Sequence, residues 1–347
     1  MVTNIVDDPD LQQDFDIQFF NTAQSNANRG KFALENVVRV FRDGWQLFKM
    51  ARRGDIVHSH SVQDPTFVAW RQVIFALATK MRGATMVLHN HAFRIYMEPA
   101  GSYTVGSAHQ LAYRILDKLS VANVLLTHEG IANLRPLMPT IDFPVISNSV
   151  RVRDVEQAHP DSNNPTLVVV GELIEQKGIA TLVHALDKLR ESGVTNWTLE
   201  LIGNNEAGVD PDRDRMLSLI NTSGYTASMT GPLPKEEVLK RLSHADIFVF
   251  PTKVEGQPFA LMEAMSAGLA IIAADIPTIA AMVTSEQLGI LVPVDDATAL
   301  SNALADLINN PVKRKELGAQ SRDVALERYD HPIFVDAIVK LYTMYGG

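Results

Sequence analysis

The sequence contains no cysteine in its 347 residues. This absence excludes disulfide bonds, thiolate catalysis and metal sites ligated by cysteine. The sequence also lacks any uninterrupted apolar run of about 18 residues, so it predicts no transmembrane helix. The opening segment, MVTNIVDDPDLQQDFD, is acidic and polar, which is unlike a secretory signal peptide. We therefore expect a protein of the reducing cytoplasm.

Positive charge is scarce, since 31 Lys and Arg residues stand against 40 Asp and Glu residues and give a net charge of −9. A negative net charge disfavours nucleic acid as the main partner. The charge is unevenly spread, because residues 29–82 contain ten Lys or Arg and four Asp or Glu, a local excess of +6. Such an excess indicates either a solvated helix face or a surface that attracts an anionic acceptor or a membrane.

Short apolar runs alternate with amphipathic segments along the chain. Segments such as GIATLVHALDKLRES and PKEEVLKRLSHA place apolar residues at helical spacing. Strands that alternate with helices of this length indicate crossover connections and a parallel sheet. A chain of this length is expected to form two domains. The pattern therefore predicts an α/β protein with two doubly wound, Rossmann-like domains that face each other across a cleft.

The predicted elements follow this alternation in both halves. In the second half the predicted strands are 166–171, 197–203, 226–231, 246–251, 269–274 and 289–293. In the first half the predicted strands are 16–20, 55–60, 85–91, 123–128 and 144–147, and the predicted helices are 34–52, 67–82, 109–119 and 129–136. A polar stretch without periodicity predicts a linker. The expected organisation is an N-terminal domain at 1–150, the linker at 151–165, a C-terminal domain at 166–328 and a final helix at 329–347 that packs back on the N-terminal domain.

Several predicted strands of the second half end in small or turn-forming residues, which are Gly171, Gly203, Gly231 and Pro251. Glycine at a strand end lets the backbone approach a ligand closely and leaves N–H donors directed into the crevice. Glycines also simply terminate strands, so the pattern leaves both interpretations open. Lys177 follows the first of these turns, just before a predicted helix, where its ammonium can reach a phosphate held at the helix N-terminus.

The segment VEGQPFALMEAMSAGLAIIA contains two glutamates eight positions apart, Glu255 and Glu263. Glu255 lies beyond a predicted strand end, and Pro258 is a natural first residue for the helix that comes next. Gly268 ends that helix, so Glu263 lies within it among small apolar residues. A carboxylate accepts two hydrogen bonds at once, which suits the vicinal hydroxyls of a ribose or another sugar. Alternatively, Glu255 caps the turn and Glu263 pairs with an Arg or Lys elsewhere in the chain.

Two His-x-His pairs, His58 with His60 and His89 with His91, lie near predicted strand ends. Such pairs can bind a metal ion from one face of a strand. Histidine is also an ordinary lining residue of a polar cleft. We interpret these histidines as cleft residues and predict no metal site.

The segment EGQPFALMEAMSAGLAIIAAD resembles the Glu, seven residues, Glu signature of the family 4, or group 1, retaining glycosyltransferases. Three further segments resemble this family in the same order, VVVGELIEQKGIATLVHAL, ASMTGPLPKEEVLKRLSHADIFVFPTKVEG and GILVPVDDATALSNALADLI. The resemblance covers residues 165–325 most clearly, and GDIVHSHS, MVLHNHAF and PVISNSV extend it more weakly into the first half. It implies the GT-B fold, in which a nucleoside diphosphate sugar binds to the C-terminal domain.

The resemblance also implies roles for individual residues. Glu263 would hold the ribose of the donor nucleotide, and Glu255 would hold hydroxyls of the donor sugar. Lys177 would neutralise the diphosphate, and His91 would lie near the reacting sugar. The remaining donor contacts would come from Gly171, Gly231, Gly256, Gln257, Pro258 and Phe259. No metal ion or other cofactor is implied, because the nucleoside diphosphate sugar is a co-substrate.

Two departures from the family pattern favour alternatives. Family members usually carry an arginine that contacts phosphate at the position of Glu172, and a carboxylate there would repel a diphosphate. The family also opens with an apolar strand and a glycine-rich loop, whereas this chain begins with residues that resemble the segment after that loop, so the first strand is expected to be missing. Both features would lower or abolish activity. The alternatives are a catalytically degenerate GT-B protein that binds nucleotide or glycan, and another sugar-nucleotide enzyme such as an epimerase.

The leading hypothesis is a metal-independent retaining glycosyltransferase. It would move a sugar from a UDP- or GDP-linked donor to a glycan or lipid-linked acceptor in polysaccharide assembly. The basic first half makes a peripheral contact with the inner face of the membrane a further hypothesis.

Overall fold

The computed structural model describes residues 5–22, 34–63, 66–91, 94–99, 101–158, 163–204, 211–222 and 227–346. The chain divides into two compact units. The N-terminal unit contains Met1–Asn148 together with Pro332–Gly347, and the C-terminal unit contains Ser149–His331. No helix in the described ranges is both long enough and apolar enough to cross a membrane.

The described part of the N-terminal unit is built on a sheet of parallel strands. These are β1 (Ile56–Ser61), β2 (Thr85–Asn90) and β3 (Ala122–Val124), which lie side by side in that order. The helices before and between them are α1 (Pro9–Asp14), α2 (Leu34–Met50), α3 (Thr66–Met81), α4 (Arg94–Met97), α5 (Ser107–Leu119) and α6 (Glu129–Leu134). In the register of β1 and β2, Ile56 lies opposite Thr85 and His60 lies opposite His89.

The C-terminal unit contains a larger parallel sheet. Its strands are β4 (Thr166–Val170), β5 (Thr198–Ile202), β6 (Ala227–Met229), β7 (Ile247–Phe250), β8 (Ala270–Ala274) and β9 (Ile290–Val292), in the order β6-β5-β4-β7-β8-β9. The helices are α7 (Ile179–Glu191), α8 (Pro211–Thr222), α9 (Lys235–Ser243), α10 (Phe259–Ala267), α11 (Pro277–Ala280), α12 (Ala297–Asn309) and α13 (Pro311–Arg328). Every residue of β7 and β8 is buried, which is expected when helices cover both faces of a parallel sheet.

The order of these strands defines a switch point. The chain runs outward from β4 through β5 to β6 and then returns to β7 on the other side of β4. Doubly wound sheets form their ligand crevice outside the carboxyl ends of the strands where the order reverses in this way. The loops after β4 and β7 are therefore expected to border a ligand crevice.

The last helix, α14 (His331–Tyr345), covers one face of the N-terminal sheet. Side chains alternate between the two faces of a strand, so neighbouring residues of β2 enter different cores. Leu88 belongs to a core formed with α3 and α5, whereas Val87 packs with Ile338 and Leu341 of α14.

Two predicted strands of the first half are wrong. Residues 16–20 have no regular structure, and the apolar Ile17 and Phe20 pack against the cores through their side chains alone. Residues 144–147 form only an isolated bridge, between Val145 and Leu125. The N–H of Asp142 donates to the carbonyl oxygen of Val121, and the N–H of Ile146 donates to that of Leu125. Pro144 lies between these two donors and has no N–H, so the ladder is interrupted there.

The segment predicted as a linker, 151–165, packs into the C-terminal unit over its described part. A short 3-10 helix spans Val152–Asp154, and Val152 is completely buried. The N–H of Ala158 donates to the carbonyl oxygen of Ala267 at 2.8 Å. Residues 159–162 lie outside the described ranges.

Packing of α14 onto the N-terminal sheet should contribute strongly to stability. Ile338 is fully buried in this helix, so Ile338→Ala should lower the free energy of unfolding by about 2–5 kcal/mol through lost burial and the cavity that remains. Ile333 lies on the same helix but is 41% exposed, so Ile333→Ala should change it by less than about 0.5 kcal/mol. Urea unfolding of both variants measures the difference. Equal effects of the two substitutions would contradict this packing.

Candidate functional site

Three glycines bring the carboxyl ends of β4, β5 and β6 into direct contact. Gly203 has a φ of 153°, and an added Cβ there would come within 1.8 Å of the carbonyl oxygen of Gly171. The N–H of Gly203 donates to the carbonyl oxygen of Gly231 at 3.1 Å. At Gly171 an added Cβ would meet nothing within 4 Å, so the backbone there borders open space. Glycine is thus required at Gly203 for close packing, while Gly171 leaves room for a ligand.

The loops after β4 and β7 touch each other at the switch point. Gly178 has a φ of 70°, and an added Cβ would come within 2.0 Å of the carbonyl oxygen of Pro251. Close by, the N–H of Lys253 donates to the carbonyl oxygen of Gln176 at 2.9 Å. These contacts fix the turn that carries Lys177 against the end of the next strand.

Lys177 and Glu255 form an ion pair across these two loops. The Nζ of Lys177 lies 2.5 Å from the Oε1 of Glu255, and the two side chains are 28% and 14% exposed. The fully buried Thr252 donates to the same carboxylate oxygen at 3.3 Å, and Thr278 donates to the backbone oxygen of Glu255 at 3.1 Å. The carboxylate therefore has a fixed position and keeps a second oxygen for other donors.

The N-terminus of α10 comes after Glu255 within the same loop. Gly256 and Gln257 lead to Pro258, which precedes the first helical residue, Phe259. The first N–H groups of a helix have no acceptor within it, and they carry the positive end of its dipole. The turn thus places an anion-binding helix end beside the Lys177–Glu255 pair.

Glu263 lies on α10 and is only 8% exposed. Burial raises the pKa of this carboxyl group, and the ammonium of Lys235 offsets part of that rise. The Nζ of Lys235, at the start of α9, lies 3.6 Å from the Oε1 of Glu263. Since the Lys235 side chain is 61% exposed, solvent screens this pair. Both glutamates of the signature therefore have lysine partners, as the alternative interpretation of Glu263 expected, and both lie within reach of the crevice loops.

The structure adds neighbours that the sequence did not single out. Lys253 lies 2.5 Å from Glu175 and 2.8 Å from Asp295. Although burial by itself lowers the pKa of Lys253, its hydrogen bonds to Asp295 and Glu175 raise that pKa overall. Lys253 is thus occupied by two carboxylates, which leaves Lys177 as the lysine paired with the signature glutamate. In the sequence, only the position of Lys253 two residues before Glu255 indicated that it lies near the site.

Glu172 directly follows Gly171 and has an exposed side chain. Within the described ranges it forms no ion pair, so nothing there neutralises its charge. The expected repulsion between this carboxylate and a diphosphate stays a prediction.

His91 belongs to the N-terminal unit and joins a cluster of four histidines. Its Nε2 lies 3.1 Å from the Nδ1 of His60, and its ring stacks on that of His89 with centroids 4.6 Å apart. The Nε2 of His58 lies 3.2 Å from the Nδ1 of His89. Burial lowers the pKa of His91 to about 4, so its imidazole is neutral at physiological pH. The two His-x-His pairs that the sequence presented separately therefore form one cluster.

Comparison with known proteins identifies the family. The family model described as Glycosyl transferases group 1 matches residues 151–324, which is half of the chain and nearly the whole C-terminal unit. The chain belongs to this family. The predicted membership in the group 1 glycosyltransferases is thereby confirmed.

Curated relatives match part of this chain. WcaL from Escherichia coli (strain K12), a candidate colanic acid biosynthesis glycosyltransferase, is 32% identical over 147 residues, which are 40% of this chain and 35% of WcaL. The phosphatidyl-myo-inositol mannosyltransferase of Mycobacterium leprae (strain TN) is 27% identical over 215 residues, or 58% of this chain and 53% of that protein. The chain thus spans about a third to a half of the length of these relatives.

Solved structures share the fold over nearly the whole chain. A sucrose-phosphate synthase from Thermosynechococcus elongatus has a TM-score of 0.71 at 18% identity and covers 92% of this chain and 82% of its own. HepE from Anabaena, solved in complex with UDP, has a TM-score of 0.71 at 14% identity and covers 88% and 82%. These likenesses confirm the predicted GT-B fold class with two Rossmann-like parts.

The histidine cluster of the N-terminal unit should make the stability of the protein depend on pH. Burial lowers the pKa of His58 to about 3 and that of His91 to about 4, from an ordinary value of 6.5. Between pH 6.5 and about 4 the unfolded chain therefore binds protons that the folded chain does not, so the free energy of unfolding falls as the pH is lowered through this window. Each group that differs by one full proton contributes a slope of about 1.4 kcal/mol per pH unit.

Urea unfolding at a series of pH values in the presence of EDTA tests this slope. His91→Asn should make it shallower, whereas His184→Asn, which changes an exposed histidine of the other unit, should leave it unchanged. The same slope in all three proteins would show that the cluster does not resist protonation.

Proposed function

We propose that this protein is a retaining glycosyltransferase that moves a sugar from a nucleoside diphosphate sugar to a glycan or lipid-linked acceptor. The observation that carries the proposal is the ion pair of Lys177 and Glu255, which lies at the strand-order switch point beside the N-terminus of α10. The crevice at a switch point is where open α/β sheets bind ligands, and a lysine beside a helix N-terminus suits a diphosphate.

Each group at the crevice has a task in this proposal. The diphosphate takes up the ammonium of Lys177 and the backbone N–H groups of the first turn of α10. Glu255 then accepts hydrogen bonds from hydroxyls of the donor sugar, and Glu263 accepts them from the ribose. Until these hydroxyls arrive, Lys177 lies against one oxygen of Glu255 and Lys235 lies against one oxygen of Glu263.

The proposed reaction follows the retaining course that the family resemblance implies. The bond between the anomeric carbon and the phosphate oxygen breaks, and a bond to the acceptor oxygen forms on the same face of the sugar. The acceptor proton passes to an oxygen of the leaving phosphate, so no carboxylate nucleophile is required, unlike glycoside hydrolysis by paired acids. Lys177 and the helix N-terminus stabilise the charge that develops on the leaving diphosphate, without a metal ion. His91 is assigned to the side of the reacting sugar by family resemblance.

A uracil nucleotide is the first candidate for the donor. HepE, which shares the fold, was solved with UDP. The acceptor is proposed to be a glycan or a lipid-linked glycan, since the relatives include proteins named for colanic acid biosynthesis and for phosphatidyl-myo-inositol. Epimerisation and binding without turnover are the alternatives.

Calorimetry with UDP, GDP, ADP and CDP tests the donor site. One nucleotide should bind, and Lys177→Met and Glu263→Gln should each weaken its binding by about 10- to 100-fold, or about 1.4–2.7 kcal/mol, through loss of a phosphate or ribose contact. Lys188→Met, which removes an exposed lysine in the last turn of α7, should leave binding unchanged.

The outcomes separate the alternatives. Binding of no nucleotide by a folded chain would withdraw the transferase proposal. If a nucleotide binds, its sugar conjugate is then incubated with and without an acceptor extract. Consumption only with acceptor supports transfer, whereas no consumption under either condition supports the degenerate binding protein.

We further infer that the N-terminal unit rests on an anionic membrane through α2. This helix exposes three large apolar side chains on one side, Val38, Phe41 and Trp45, at 61%, 62% and 59%. Two cationic side chains flank them: Arg42 is 68% exposed and pairs with Asp43 at 3.1 Å, and the Nζ of Lys49 lies 5.6 Å from the centroid of the Trp45 ring. Exposed apolar residues beside Lys and Arg are the features of helices that lie in the membrane interface. A lipid-linked acceptor would be presented at such a surface.

Vesicle co-sedimentation tests this contact. The protein should bind vesicles that contain an anionic phospholipid, and added salt should weaken the binding because it screens the cations. Phe41→Ser with Trp45→Ser should reduce binding at least tenfold through loss of buried apolar area. Met344→Ser, at a 71% exposed apolar position on α14, should have no effect. Equal binding by all three proteins would contradict a membrane role for α2.

A further inference from the structure

The four histidines of the N-terminal unit share one face of its sheet because of the register of β1 and β2. His60 lies directly opposite His89, and His58 and His91 lie two residues along their chains from this pair. Since side chains alternate along a strand, residues at a spacing of two point the same way. All four rings therefore project to the face that α14 covers.

The rings are close enough to share an ion. One ring nitrogen from each of His58, His60 and His89 can be chosen so that all three lie within 4.8 Å of one another. The Nε2 of His58 lies 3.2 Å from the Nδ1 of His89. Two nitrogens bound to one tetrahedral zinc ion at about 2.0–2.1 Å are roughly 3.4 Å apart, which this contact nearly matches, and the nitrogen of His60 would have to move from within 4.8 Å to that spacing.

One ring nitrogen of the cluster is buried without a partner. His89 is fully buried, and among the described residues nothing forms a hydrogen bond with its Nε2. The hydroxyl of Tyr342 contacts the Nδ1 of His58 at 2.8 Å, and the Nε2 of His58 contacts the Nδ1 of His89. If the hydroxyl of Tyr342 donates to His58 and His58 donates to His89, the Nε2 of His89 is an N–H without an acceptor. If both hydrogen bonds run in the opposite direction, this Nε2 is a lone pair without a donor. An unsatisfied buried polar group is destabilising by about 1–3 kcal/mol, so hydrogen bonds among the described residues leave this cluster incompletely satisfied.

The cluster also has the electronic character of a ligand set. Metal ions bind imidazole through a ring nitrogen that carries no proton. Tyr342 additionally fixes the ring of His58 through its other nitrogen, which is how protein groups usually orient metal-bound histidines.

We propose that His58, His60 and His89 form a binding site for a divalent transition-metal ion of the zinc class. Nitrogen ligands suit zinc, cobalt, nickel and copper, and three histidines leave a fourth position for water or for His91. An ion there joins β1 to β2 and, through Tyr342, to α14. This site lies in the N-terminal unit and does not depend on the proposed donor site, which lies in the other unit.

Titration of the EDTA-treated, dialysed full chain with zinc chloride tests this site. One ion per chain should bind, and the temperature of thermal unfolding should rise with it, because the ligand set exists only in the folded chain. His60→Gln and His89→Asn should each weaken binding at least tenfold, as expected for loss of one ligand. His184→Asn, an exposed histidine in the other unit, should bind as the unchanged protein does.

Two further measurements keep the result interpretable if His89→Asn fails to fold. His60→Gln changes a partly exposed side chain and supplies the same comparison. The visible absorption of bound cobalt in the unchanged protein reports nitrogen ligation without any substitution. The proposal is overturned if the folded protein binds no zinc, or if His60→Gln binds zinc and cobalt as tightly as the unchanged protein. In either case the cluster is a hydrogen-bonded polar core.

Discussion

The close approach of Gly178 to the carbonyl oxygen of Pro251 is the contact on which the crevice of the C-terminal unit depends. A Cβ at Gly178 would lie 2.0 Å from that oxygen, and the residue has a positive φ of 70°. Only glycine satisfies both conditions. Because the turn after β4 thereby touches the end of β7, Lys177 and Glu255 reach each other across the switch point, and the N-terminus of α10 comes immediately after.

The electrostatics of this crevice result from partial burial. Glu255 and Glu263 are both mostly removed from water, and burial raises the pKa of Glu263. Lysines at 2.5 Å and 3.6 Å supply the counter-charge. Each carboxylate thus has one lysine partner, and both pairs border the loops of the switch point.

A comparable constraint acts in the N-terminal unit, where strand alternation decides which residues meet. Val87 enters the core beneath α14, while Leu88 enters the opposite core. The histidines of β1 and β2 share the parity of Val87, so four polar rings lie in a largely apolar layer. Their burial keeps the rings neutral and leaves one nitrogen of His89 without a partner among the described residues. The stability of this layer, its response to acid and its capacity for a cation are thus linked.

Local patterning in the sequence determined the elements and the family. Alternating strands and helices predicted the parallel sheets, and the spacing of Glu255, Pro258, Glu263 and Gly268 predicted α10 with its boundaries nearly correct. The sequence was misleading at 16–20, where Ile17 and Phe20 are partly buried but the backbone forms no strand, and at 144–147, where Pro144 cannot donate to the ladder. The periodicity of apolar residues indicates which side chains face the core. It does not indicate whether the backbone forms hydrogen bonds with a neighbouring strand.

Contacts between residues distant in the chain were decided by the tertiary structure alone. The partners of the two glutamates are Lys177, 78 residues before Glu255, and Lys235, 28 residues before Glu263. The union of two His-x-His pairs depends on the register of β1 against β2. A sequence fixes the spacing of residues within one element, because covalent geometry and hydrogen bonding set the period. Which elements lie side by side, and in what register, is determined by how their apolar faces pack together.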